Sequence, residues 1–228
     1  MPRFAIIAAA LALASCAAGQ SNRPRNFEPK LANPSAVIAA EIAFNRLAQE
    51  KGQWTSFRQT AAKDAVMFVP QPVEAQVWLK GKADPAVSVK WQPHKAFMSC
   101  DGKTGVTTGA WQGPSGTVGY FTTVWQYYEK GTGGNGEWKW VMDHGDPLTS
   151  PREVKEMIET RVASCKGSAP ASLMAPPENA QMKMGLSRDQ SLSYTSIVRP
   201  DGARTIEVKL WNGMTADTVI FDKVAAAK

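Results

Sequence analysis

The sequence predicts an α+β fold. An apolar stripe at helical spacing opens the globular part, where Val37, Ala40, Phe44 and Leu47 recur every three to four residues. Strand-like runs take over from about residue 95, and turn pairs such as Asp101-Gly102 separate them. Helices first and antiparallel strands after is the order of an α+β chain.

Each element follows from local chemistry. Residues 16–33 lack apolar periodicity and read as an extended tether. Asn33 can cap the first helix, with Pro34 at its first helical position and Gly52 as its stop. Glu41, Asn45 and Gln49 fall off its apolar stripe. A shorter helix over 54–62 groups Trp54, Phe57 and Ala61 on one side. A buried strand over 65–69 ends at Pro70-Gln71-Pro72, and a short helix over 73–79 closes at Gly81. Asp84-Pro85 can begin one more turn.

Strands are expected over 95–100 and 104–111, then over 117–129 and 137–144 across a glycine-rich loop. The 117–129 strand is apolar on both faces, Val118, Tyr120 and Val124 against Phe121, Trp125 and Tyr127. One face can cover the helices, and the other needs the C-terminal strands or a second copy, so a homodimer through the sheet is one expectation. Ser150-Pro151-Arg152-Glu153 has the form of a capping box, which predicts a helix over 151–162; a strand leading to Cys165 is the alternative. An Ala/Pro/Ser linker covers 167–177. The end reads as a β-hairpin or meander, with strands over 191–198, 204–211 and 218–221, expected to pack on the preceding part and extend its sheet.

Residues 34–148 resemble the SnoaL-like members of the nuclear-transport-factor-2-like superfamily. The resemblance rests on Ala40-Glu41-Ile42-Ala43-Phe44, on Asp64-Ala65-Val66-Met67-Phe68, and on the run from Trp138 through Trp140 and Met142 to Gly145. It implies a cone-shaped, curved antiparallel sheet wrapped around two or three N-terminal helices, with a pocket inside and residues 149–228 as a C-terminal extension. It implies no single activity, because this fold hosts isomerases, dehydratases, hydrolases, carriers and assembly domains.

The first 16 residues say where the chain works. Arg3 gives a positive start, Phe4 to Leu13 is a short apolar run, and Leu13-Ala14-Ser15-Cys16 supplies small residues followed by cysteine. The run is too short to span a bilayer, which takes roughly 20 helical residues. It resembles the bacterial lipoprotein signal, which implies cleavage after residues 1–15 and lipid, palmitate included, on Cys16. Two or more acyl chains hold a protein stably on a membrane. Ala17 follows where the family's inner-membrane retention signal has Asp, so the expected place is the Gram-negative outer membrane, facing the periplasm.

Removing 15 of 228 residues leaves 213 and drops the formal charge from +6 to +5. Basic residues are scattered without the stripe that nucleic acid needs, so no nucleic-acid partner is expected. With Cys16 lipidated, Cys100 and Cys165 remain in an oxidising compartment and are expected to form a disulfide; two free buried thiols is the alternative. No metal site is expected from so few ligands.

Gly131-Thr132-Gly133-Gly134-Asn135-Gly136 spells the dinucleotide pattern, but a Trp-rich strand follows where that motif needs a helix. It reads as a hairpin loop, and no cofactor is expected. Counting by twos puts Trp138, Trp140, Met142 and His144 on one face of their strand and Glu137, Lys139, Val141 and Asp143 on the other. The first set is expected to face the cone interior, with Tyr120 and Phe68 as further pocket residues. No catalytic residue stands out, His144 being the candidate acid or base; His94 lies beside Pro93 in an expected loop. A non-catalytic domain binding a small apolar ligand or an envelope protein is the first reading. A cone enzyme using His144 and a dimerisation module are the others.

Overall fold

The computed structural model describes residues 32–130, 136–153, 156–167, 169 and 175–226. The leader, Cys16 and nearly all of the tether lie outside them, as do residues 131–135 of the glycine loop and most of the 167–177 linker. Leu31–Lys228 forms one unit.

Three helices lead the unit. In α1 (Ser35–Lys51), Pro34 takes the N-cap position expected for Asn33 and makes no side-chain cap bond, while the Asn33 side chain just before it accepts a hydrogen bond from the Ser35 amide at 2.9 Å. Gly52 ends α1 at φ 102°, a conformation that favours glycine, and passes the chain into α2 (Gln53–Thr60). The short α3 (Ala75–Leu79) lies between strands. Residues 73 and 74, expected as the start of that helix, instead join Pro72 in β2 (Pro72–Glu74), paired antiparallel with β1 (Ala61–Phe68).

The remaining cone strands are β3 (Lys90–Met98), β4 (Thr104–Gln112), β5 (Val118–Tyr128) and β6 (Glu137–Leu148). With β7 (Glu159–Val162) they form a seven-stranded sheet in the order β2-β1-β6-β5-β4-β3-β7. Adjacent strands run antiparallel except β1 with β6 and β3 with β7. The α+β class, few helices against one large curved sheet, is as the sequence predicts.

β7 replaces the expected helix over 151–162, so the alternative, a strand leading to Cys165, is the one observed. The capping box is a local preference, and the open edge of β3 outweighs it. There β7 gains ladder hydrogen bonds, Lys95 pairs with Glu159 at 3.2 Å, and the Ala163 amide donates to the Met98 carbonyl. The Cys100–Cys165 disulfide closes this corner, with Cα atoms 5.3 Å apart. β3 also contains Pro93 and His94, expected in a loop. The register slips between Pro93 and Lys95, a bulge where a proline without an N–H is tolerated.

The C-terminal strands make a sheet of their own rather than extending the first. It runs β11-β10-β9-β8, from β8 (Gln181–Leu186), β9 (Leu192–Val198), β10 (Arg204–Trp211) and β11 (Ala216–Val224). Ile206, Val208 and Leu210 of β10 are buried in one core with Val106 of β4 and Val124 of β5. The second sheet therefore covers the face of the cone sheet turned away from the helices. The two-faced β5 finds its second partner within the same chain, and that face offers no argument for a second copy.

Candidate functional site

A one-residue slip in β6 decides which side chains face the helices. Trp140 pairs with Trp125, but Met142 pairs with Val124, so Val141 is an extra residue, a β-bulge. Strict alternation holds up to Trp140 and inverts beyond it. Trp138 and Trp140 face the helices with Trp125. After the bulge Asp143 takes that face, and Met142 and His144 turn to the other. The expectation that Trp138, Trp140, Met142 and His144 share the interior is corrected accordingly: Met142 and His144 do not belong there.

The helix side of the sheet holds two carboxyl groups. Glu41 of α1 is completely buried among Val37, Phe44 and Ala48, although its charge suggested an exposed position. Three donors meet it: the Trp91 indole at 2.6 Å, the Thr107 hydroxyl at 2.5 Å and the Trp125 indole at 2.9 Å. Burial pushes the Glu41 carboxyl above the usual carboxylate range, and these donors pull it back. Asp143 accepts a 2.9 Å hydrogen bond from the Thr123 hydroxyl. Burial, with the negative charge of Glu41 behind it, pushes the Asp143 carboxyl up to about 8, against the pull of Thr123. At neutral pH Asp143 is thus mostly a protonated acid, able to donate a hydrogen bond.

Asp143 is surrounded by protein yet keeps some accessible surface, because it borders a cavity of about 250 Å³ inside the cone. Trp54 and Phe57 of α2, Trp91 of β3, Trp111 of β4 and Phe121 of β5 line it together with Asp143. Trp111 reaches its place over Gly119, where any Cβ would collide with the indole. Phe44 packs edge-on against Phe57, Trp91 and Trp125, with ring centroids 4.7, 4.8 and 5.8 Å away, and forms the floor. Such an arrangement, apolar and aromatic with a few convergent polar groups, is what small-molecule sites look like.

His144 lies elsewhere. Its ring is wedged between the Tyr120 hydroxyl, 3.4 Å from Nε2, and the Arg204 guanidinium, whose Nε is 3.3 Å from Nδ1. Burial first, then the charges of Arg204 and Arg152, lower its pKa to about 3, so it stays neutral at physiological pH. Burial likewise pushes the Tyr120 phenol well up, with Asp222 and Asp146 adding to the shift. Arg204 pairs with Asp146 at 3.1 Å, and Asp222 accepts from Thr122 at 2.7 Å. These groups hold the C-terminal sheet on the cone, which corrects the reading of His144 and Tyr120 as pocket residues.

Of the other expected pocket residues, Phe68 borders the cavity while its ring sits edge-on to His144, centroids 5.4 Å apart. Trp140 is fully buried, its indole donating to Thr60 at 2.9 Å. Trp138 borders a separate groove along α1, beside Ala40, Ala43 and Leu47. Glu41 and Asp143 are the residues that sequence reasoning passed over. The only sequence signal for Glu41 is its place in the spacing Val37, Glu41, Phe44, Ala48. Among the described residues, no group of three or more His, Cys, Asp or Glu is placed to hold a metal ion, and no helix is long and apolar enough to cross a membrane.

No protein-family model matches the chain, and no curated protein matches it. Among solved structures, it is similar to a protein of Novosphingobium aromaticivorans put forward as an aromatic ring hydroxylase. That likeness covers 51% of this chain and 90% of the other, at 14% identity and a TM-score of 0.36. A similarity so slight carries no argument about activity.

Proposed function

We propose that this protein is a lipid-anchored binding domain of the Gram-negative cell envelope, of SnoaL-like cone type, whose cone takes up a small apolar ligand. The cavity carries this reading: aromatic side chains from several elements line it together with the carboxyl of Asp143, while Asp146, also at its edge, is paired with Arg204. A cone packed solid by its own side chains would instead have favoured a purely assembling domain. The anchor rests on the leader ending in Leu13-Ala14-Ser15-Cys16, with attachment by lipid on Cys16 to the outer membrane, facing the periplasm.

A titration with ethylbenzene, followed by NMR of the indole N–H signals, tests the cavity. Shifts at Trp54, Trp91 and Trp111 are expected; no shifts, or shifts confined to the His144 side of the sheet, would refute it. For the anchor, a Cys16→Ser variant should leave the membrane fraction, and its retention there would refute lipid attachment.

A second reading is favoured by one observation. A carboxyl held near pH 8 beside a cavity suits proton transfer to or from a bound molecule. The cone-enzyme alternative therefore moves from His144 to Asp143. It predicts that a ligand co-purified with the wild type is chemically altered relative to the one retained by Asp143→Asn. Identical ligands would argue against catalysis.

A further inference from the structure

We propose that the cone selects organic cations, small ammonium compounds carrying an apolar or aromatic group, over neutral or anionic molecules of the same size. This rests on the ligand-binding reading and specifies its ligand class.

Asp143 and Asp146 border the cavity; the Asp146 carboxylate is paired with Arg204 at 3.1 Å, and the described residues that line the cavity include no lysine, arginine or histidine. Behind Asp143, across Thr123, stands Glu41 of α1. To the lining α2 contributes Trp54 and Phe57, its Arg58 guanidinium being bound to the Leu79 carbonyl and the Thr55 hydroxyl; β3 and β4 contribute Trp91 and Trp111, and β5 contributes Phe121, with Thr123 bonded to Asp143. The Arg204 guanidinium lies on the other face of the sheet and is engaged with Asp146, His144 and the Gly145 carbonyl. A bound anion would meet the Asp143 carboxyl with no cationic side chain among the described lining residues. A cation gains the negative ring faces of Trp and Phe and a carboxylate partner in Asp143.

The proton balance makes the class testable. Asp143 carries its proton in the empty cavity at neutral pH, as described above. A quaternary ammonium ion has no exchangeable proton on nitrogen. Its binding beside Asp143 favours the carboxylate, so the O–H bond of Asp143 breaks, the proton passes to solvent buffer, and an ion pair remains.

The experiment is isothermal titration calorimetry of the intact mature protein at pH 7, in two buffers of different ionisation enthalpy. The probes are benzyltrimethylammonium, its neutral isostere neopentylbenzene, and 4-methylbenzoate. The expected result is at least tenfold tighter binding of the cation than of either other probe, with close to one proton released per cation bound and none with neopentylbenzene. Asp143→Asn should abolish the release and at least tenfold of the preference. The wild-type proton count stands by itself if that variant does not fold. Equal or tighter binding of neopentylbenzene or of the benzoate would overturn the cation assignment and leave the cavity reading intact. Release that persists in Asp143→Asn would overturn the role of Asp143. Failure of all three probes to bind would overturn the cavity reading, and this inference with it.

Discussion

Asp143 and His144 are neighbours in the chain and stand in two different environments. Asp143 pairs across the sheet with Thr123 and borders the helix-side cavity; His144 pairs with Thr122 and lies under the C-terminal sheet. Burial raises the pKa of one and lowers that of the other. Two opposite pH dependences of stability follow.

Asp143 has a folded pKa of about 8, against 3.8 for an unhindered aspartate. Between those values the folded state holds a proton that the unfolded state has lost, so Asp143 makes stability fall as pH rises through that window. The ceiling is about 1.4 kcal/mol per pH unit. Asp143→Asn should therefore be more stable than the wild type at pH 8 to 9 relative to pH 5, by roughly 2 kcal/mol or more. Urea denaturation at the three pH values measures it, and a constant difference between the two proteins would refute it.

His144 acts in the other direction. Its folded pKa of about 3 lies below the ordinary 6.5, so on acidification the unfolded chain takes up a proton that the folded one refuses. Stability from this source is complete above about 6.5 and is lost as pH falls toward 3. A His144→Gln variant should lose less stability than the wild type between pH 6.5 and 4. Equal acid sensitivity in urea melts of the two proteins would contradict this.

Glu41 is buried with its donors fixed around it, so removing the acceptor is costly. Glu41→Leu strands the indole of Trp91 and the hydroxyl proton of Thr107, and leaves the Trp125 indole only its 3.2 Å bond to Thr107. At about 1–3 kcal/mol for each unsatisfied buried group, a loss of roughly 3 kcal/mol or more is expected. Glu41→Gln keeps one acceptor oxygen and should lose less. Denaturation midpoints rank the two variants, and a leucine variant at least as stable as the glutamine variant would sink this account.

The Cys100–Cys165 bridge closes a loop with a sequence separation of 65. In the chain-entropy model such a loop stabilises by about 4 kcal/mol. The double Cys100→Ser, Cys165→Ser variant should unfold at markedly lower urea concentration. Unchanged stability would mean that the β7 pairing and the hydrogen bond from the Cys100 amide to Ser191, 2.8 Å long, hold this corner without it.

What the sequence made legible was periodic or local. The stop of α1 at Gly52, the β3–β4 turn at Asp101-Gly102 and the alternation of β10 all appear where residue spacing puts them. What escaped it depends on residues far away in the chain. Nothing in Trp140-Val141-Met142 marks the bulge, since all three are apolar, and the register is set by β5 and β1. Glu41 looked like a surface charge because its donors come from residues 91, 107 and 125. β8 was passed over because Met182 and Met184, its alternating apolar residues, gain a sheet only by pairing with β9.

The central claim is that the cone is a ligand site whose recognition group is Asp143. Native mass spectrometry of the protein purified from its own envelope tests it most directly. A small-molecule adduct is expected on the wild type and is lost or greatly reduced in Asp143→Asn. A wild-type protein that carries no adduct, and gains none when small apolar compounds are supplied, would contradict it.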